Sequence, residues 1–305
     1  MKAATISAYG QSPHITEEPD PKVGPDSVLI RVKAAGVNPV DWKIATGHLD
    51  PVLNVYFPLV PGWDVAGVVQ KVGPAVTEFA PGDEVMAYNR QDYVQHGTYA
   101  EFAAAPVRTL ARKPTSLTWE QAAGLPLAGL TAYQSLRTAR VSAGDTVLVH
   151  AAAGGVGTLA VQIAVAQGAR VIGTASDRNH DFLRELGAEP VAYGTGLVEG
   201  VRALAPEGVD ASMDYVGGDS VAQSFELTRS PGRVVSIADA SATALGGRYV
   251  FVRPDAEDLA ALGELADAGK LTVHVDRVLP LAEVAEAFKL SQEGRTRGKI
   301  VLSVP

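Results

Sequence analysis

The 305-residue chain contains no cysteine. Disulfides, thiolate catalysis, iron–sulfur clusters and Cys-based zinc sites are therefore excluded. Basic excess is missing too: 26 Lys and Arg stand against 34 Asp and Glu, a net charge of −8. That balance argues against nucleic acid, which selects for a basic face, and against an anionic membrane surface. No run of about 18 apolar residues is present to cross a bilayer. The opening Met1-Lys2-Ala3-Ala4-Thr5-Ile6-Ser7 lacks the apolar core of a signal peptide. A cytoplasmic protein without membrane insertion is expected. What is there, 47% hydrophobic and 20% charged residues, describes an ordinary folded chain. Its length favours two domains over one core.

The first third reads as β-rich. Residues 28–34 alternate, with Ile30 and Val32 on one face and Arg31 and Lys33 on the other. Residues 65–72 form an apolar strand closed by Gly73-Pro74, and Pro81-Gly82-Asp83 turns into a strand at 84–87. Short strands punctuated by Gly and Pro suggest a small barrel-like domain. Near Leu117 the texture changes. Thr118 with Gln121 three residues on is a capping-box start for a helix. Strands at 147–150, 170–175, 211–214 and 233–238 then alternate with helices at 156–167 and 181–186, the second stopped by Gly187. Alternating strands and helices predict an α/β, doubly wound parallel sheet. Helices at 255–268 and 281–293 and strands at 272–278 and 299–303 follow, either extending that sheet or returning to the first domain.

The strand Val147-Leu148-Val149-His150 runs into Ala151-Ala152-Ala153-Gly154-Gly155-Val156-Gly157 and then a helix. This is the context of a dinucleotide fingerprint, with Ala152 in place of its first glycine. At Gly154 a side chain would block the backbone from the pyrophosphate. At Gly157 the helix packs close to the strand. Ala153, Gly154, Gly155 and Val156 then present N–H groups, reinforced by the helix dipole, to the phosphates. After the next strand, Ser176 and Arg178 can hold a 2′-phosphate, which favours NADPH. Asp177 between them is the type of residue that binds the ribose hydroxyls of NAD.

Gly144-Asp145, Leu148, the Ala152-to-Gly157 turn and Gln162 together resemble the quinone oxidoreductase/ζ-crystallin signature, a zinc-free branch of the medium-chain dehydrogenase/reductases. The resemblance covers nearly the whole chain. Gly36-Val37-Asn38-Pro39-Val40-Asp41-Trp42-Lys43 is similar to the family's active-site loop, and Pro61-Gly62-Trp63-Asp64-Val65-Ala66-Gly67 to its G-H-E-x-x-G segment. Pro126 to Tyr133 resembles the helix beside the nicotinamide, and Gly298-Lys299-Ile300-Val301-Leu302 the closing strand. The resemblance implies a GroES-like β-barrel catalytic domain from residues 1–117 and 254–305, with a Rossmann domain at 118–253 inserted between them. Zinc-dependent members would carry Cys at Asn38, His-Glu at Trp63-Asp64 and a four-Cys lobe after Val85. None of these ligands is present, so no metal is expected, and acceptors that are already electrophilic suit the site: quinones and α,β-unsaturated carbonyls.

Asn38, Asp41 and Lys43 are the catalytic candidates. Asn38 either binds a substrate or cofactor oxygen or fixes the turn before Pro39. Asp41 anchors the loop rather than donating a proton. Lys43 either stabilises developing enolate charge or is a surface lysine. The resemblance places Thr131, Phe251, Val252 and Arg297 toward the nicotinamide end and Tyr193 at the 2′-phosphate, with Arg253 and Arg297 open to surface ion pairing instead. Tyr88, Tyr93, His96 and Tyr99 are candidates for the substrate cleft. The leading expectation is an NADPH-dependent quinone or enone reductase. The alternatives are an enoyl-thioester reductase and a non-catalytic NADPH-binding sensor or structural protein. Residues 246–252 read as an edge strand that pairs across a two-fold axis, giving a homodimer or higher homo-oligomer.

Overall fold

The computed structural model describes all residues, Met1–Pro305, in two compact units. The first unit comprises Met1–Leu130, Arg253–Gly269 and Val273–Pro305; the second comprises Thr131–Val252 and Lys270–Thr272. The seam thus falls after Leu130 rather than at 117. The reason is local: the helix Trp119–Gly124, with its Thr118/Gln121 capping box, packs on the strand Ser27–Val37 of the first unit.

The first unit is built on a seven-stranded sheet whose hub is Ser27–Val37. This strand is eleven residues long and nearly all buried. Its early half pairs with Phe102–Pro106 and its late half with Lys299–Ser303, both antiparallel. On the other side it pairs with Asp64–Val72, with register shifts at Leu29/Ile30 and Val32/Ala34. Such irregularities bend a strand, which lets one long strand serve two neighbours. The sheet continues through Glu84–Tyr88 to Leu110–Arg112. The C-terminal strands Val275–Pro280 and Lys299–Ser303 join this sheet, so the chain end returns to the first unit.

The second unit carries a six-stranded, all-parallel sheet. Its spatial order is Ala188–Ala192, Arg170–Ala175, Thr146–Val149, Ala211–Asp214, Val234–Ser236, Arg248–Tyr249. Numbered within the unit, this is 3-2-1-4-5-6, the doubly wound dinucleotide-binding order. Leu148, Ile172, Val191, Leu197, Val201 and Leu227 form the core between sheet and helices. The expected strand at 246–252 is only Arg248–Tyr249, and it lies at the sheet edge. The strand at 188–192 and the helices Leu197–Leu204 and Asp219–Leu227 complete the alternation without having been singled out in the sequence.

Candidate active site

In the first unit the strand Ser27–Val37 ends at Asn38, and Pro39 opens the short helix Pro39–Ala45. Proline suits that first helical position because its missing N–H has no partner there in any case. Asp41 falls in the first turn, where its carboxylate reaches back: Asp41 Oδ2 accepts the backbone N–H of Asn38 at 2.7 Å. The same oxygen accepts the Tyr99 hydroxyl at 2.6 Å. Asp41 Oδ1 is buried without a partner.

The Asn38 side chain is held at both ends. Its Nδ2 donates to Asp64 Oδ2 at 2.9 Å, and its Oδ1 accepts from Lys299 Nζ at 2.5 Å. Lys299 also donates to the Val37 carbonyl at 3.0 Å, and Asp64 Oδ1 accepts the Leu127 N–H at 2.8 Å. Asp41 and Asp64 are 0% exposed, Asn38 2% and Lys299 4%. Two carboxylates and one ammonium therefore share a dry site. Burial pushes Asp41 up to about 7, against the Tyr99 and Asn38 hydrogen bonds. Burial likewise pushes Asp64 up to about 6, against the Lys299 charge and its hydrogen bonds. Lys299 is pushed down by burial and pulled back by Asp64 and Asp41.

Of the three catalytic candidates, Asn38 and Asp41 are brought together here. Lys43 is not; it is exposed, its ammonium 5.7 Å from the Trp42 ring centroid. The cation beside Asn38 is Lys299 instead, which was visible in the sequence only as part of the closing strand. The signal was a lysine heading the apolar run Ile300-Val301-Leu302, with the whole of Lys299–Leu302 buried. Two of the proposed cleft tyrosines belong to the core. Tyr88 is 1% and Tyr99 0% exposed, packed edge-on against Trp63 and Phe288. Tyr93 and His96, with Trp63 and Asn89, border a small depression in the same unit.

In the second unit the turn after Thr146–Val149 behaves as a phosphate-binding elbow should. Ala151 adopts a φ of +51°, a left-handed conformation uncommon for alanine. A Cβ on Gly157 would lie 2.2 Å from the Ala151 carbonyl oxygen, so helix and strand could not approach. At Gly154 a Cβ would meet only the Ala151 oxygen at 3.3 Å. The protein's own packing leaves room there, and the bare backbone is open to an approaching ligand. Gly154 caps the helix Gly155–Ala166, whose first N–H groups are left over by helix geometry. Ala151 and Ala152 donate to Thr174 Oγ1 and O, tying the turn to the strand that leads to Ser176. These residues fit a dinucleotide pyrophosphate.

Ser176 is half-buried and accepts from Asn179 Nδ2 at 3.4 Å, while Asp177 and Arg178 are exposed. Asp177 lies 3.7 Å from His180. Tyr193 and Phe251 are exposed, at 65% and 45%. Val252 is buried at the end of the second unit, and Thr131 is buried in the helix Pro126–Thr138. Arg297 is half-buried in the first unit; Arg253 forms an ion pair with Asp255 at 3.2 Å. Sequence reasoning missed Asp214, where the strand order reverses. It accepts from Val216 N, Gly217 N, Ser220 Oγ and Ser236 Oγ, at 2.6–3.0 Å, and so shapes the loops at the sheet's carboxyl edge. Next to it His150 is buried and held neutral, pushed down to about 4 by burial.

Residues 24–115 match the alcohol dehydrogenase GroES-like domain family, and residues 186–302 the family described as zinc-binding dehydrogenase. Around Asn38 the side chains are an amide, an ammonium and two carboxylates already committed to one another by hydrogen bonds, a set unlike the Cys and His ligands of a zinc site. The NADPH-dependent alkenal/one oxidoreductase of Arabidopsis thaliana is 36% identical over 99% of this chain and 79% of its own length. The quinone oxidoreductase of Coxiella burnetii superposes with a TM-score of 0.88 at 35% identity, covering 100% of this chain and 99% of that one. A mycobacterial protein solved in complex with NADPH superposes with a TM-score of 0.85 at 29% identity, covering 99% of each chain.

Proposed function

The chain belongs to the quinone-oxidoreductase branch of the medium-chain dehydrogenase/reductase superfamily, and from that premise we infer that it is an NADPH-dependent oxidoreductase reducing quinones or α,β-unsaturated carbonyls without zinc. The observation that carries this reading is the Asn38 amide held between the Lys299 ammonium and the Asp64 carboxylate, where the resemblance puts the ligands of zinc-dependent members. A site of this chemistry suits acceptors that are already electrophilic better than simple carbonyls.

When bound, NADPH supplies the hydride. The Ala153-Gly154-Gly155-Val156 turn holds the pyrophosphate by backbone N–H groups and the helix dipole. Ser176, Arg178 and Tyr193 would hold the 2′-phosphate, and the resemblance assigns Thr131, Phe251, Val252 and Arg297 to the nicotinamide. Asn38 faces the acceptor oxygen and Asp41 anchors its loop, while the exposed Lys43 is a surface lysine. Hydride addition to the β-carbon moves the alkene electron pair toward the carbonyl and leaves its oxygen negative; a proton from water then completes the saturated product. The assignment extends to a cytoplasmic homodimer, the pairing supported by the exposed sheet edge at Tyr249. No helix is long and apolar enough to cross a membrane.

The test is NADPH oxidation with a panel of quinones, enones, saturated aldehydes and alcohols. Turnover confined to quinones and enones is expected. Preference for saturated aldehydes would overturn the reading.

A further inference from the structure

The Asn38 amide carries two N–H groups on Nδ2, and only one has an acceptor in the chain, Asp64 Oδ2. Asn38 is 2% exposed, so the second N–H is a buried donor in need of an oxygen. Its direction is not free. Lys299 Nζ fixes Oδ1 from one side and Asp64 fixes Nδ2 from the other. An ammonium donating to an amide oxygen also draws electron density out of the amide nitrogen, which strengthens the remaining N–H as a donor.

We propose that Lys299 is a positioning residue for the reduction: its ammonium locks and polarises the Asn38 amide so that the uncommitted N–H meets the acceptor oxygen that becomes negative. The role rests on the reductase reading for its substrate, but the clamp itself belongs to the protein alone. No bond to Lys299 or Asn38 forms or breaks; the proton stays on Nδ2 and the charge stays on the acceptor oxygen until water protonates the product. In this site the internal cation acts through an amide, at the position where zinc-dependent members use a metal directly. The assignment also separates Lys299 from Lys43, which lies exposed on the helix Pro39–Ala45.

The experiment uses the full chain with Lys299→Met, and the double variant Lys299→Met/Asp64→Asn, which restores the wild-type charge balance if the single variant fails to fold. In both, kcat for enones should fall about tenfold or more, the loss expected when a reacting group is held out of place. KM for NADPH and its dissociation constant should stay within about twofold. The loss should shrink for the more electron-poor quinones, which need less help at oxygen. An equal loss for every acceptor, or a matching loss of NADPH affinity, would overturn the proposal; the second result would assign the Asn38 N–H to a cofactor hydroxyl. Independently of turnover, the side-chain amide nitrogen resonance of Asn38 should move upfield in Lys299→Met, and its protons should exchange faster. An unchanged resonance would refute the clamp even if the wild-type protein reduced nothing, whereas a shifted resonance in an inactive wild type would refute only the reductase reading.

Discussion

Asp41 shows what burial does to a single side chain. Folding raises its pKa from 3.8 to about 7, so the folded state keeps a proton that the unfolded chain has already released. Stability from this group is fully present below about pH 4 and is lost as pH rises through about 7. Chemical denaturation from pH 4 to 8 should therefore show wild-type stability declining relative to Asp41→Asn; parallel profiles would contradict the assignment. Lys299→Met should lower stability by about 3–5 kcal/mol, because it strips the cation from two buried carboxylates. Arg178→Ala belongs to the same scale: KM for NADPH should rise far more than KM for NADH, and equal rises would remove the 2′-phosphate role. The sequence exposed Asn38 and Asp41 because they stand in a recognisable motif. Lys299 was hidden, since its partner Asn38 lies 261 positions away and only the paired strands bring them together.

At the scale of the element, the glycine-rich turn separates folding from binding. Gly157→Ala forces a Cβ to 2.2 Å from the Ala151 oxygen and should destabilise the second unit outright, seen as a lower melting temperature. Gly154→Ala meets only a 3.3 Å contact, so the fold should survive. Its affinity for NADPH should nevertheless fall by about tenfold or more, since each lost close approach at a backbone anion site forfeits charge-assisted hydrogen bonds. A Gly154→Ala protein that binds NADPH normally would break the link between this turn and the cofactor. The turn, its strand and its helix were legible because their periodicity and punctuation are local. Tyr88 and Tyr99 were misplaced for the opposite reason: an aromatic residue reads the same whether it lines a cleft or fills the core, and only packing distinguishes the two.

For the whole molecule, the parallel sheet was legible in the alternating pattern, whereas the return of the chain end to the first unit was open in the spacing and implied only by the resemblance; the strand Lys299–Ser303 makes that return. The strand order could not be read from spacing, because crossovers are set by tertiary packing. The seam after Leu130 likewise reflects where the helix Trp119–Gly124 packs, not a change of composition. The edge strand Arg248–Tyr249 leaves unpaired backbone beside exposed Tyr249 and Phe251, and a homodimer is expected by light scattering coupled to size exclusion. A monomer at micromolar concentration would contradict it. The central claim, direct hydride transfer to an activated acceptor, is tested most directly by incubating the protein with NADPH deuterated at the transferring position and an enone, then locating the label by mass spectrometry and NMR. Deuterium at the β-carbon, with solvent-derived hydrogen at the α-carbon, is predicted; cofactor oxidation that leaves the product unlabelled would contradict the account.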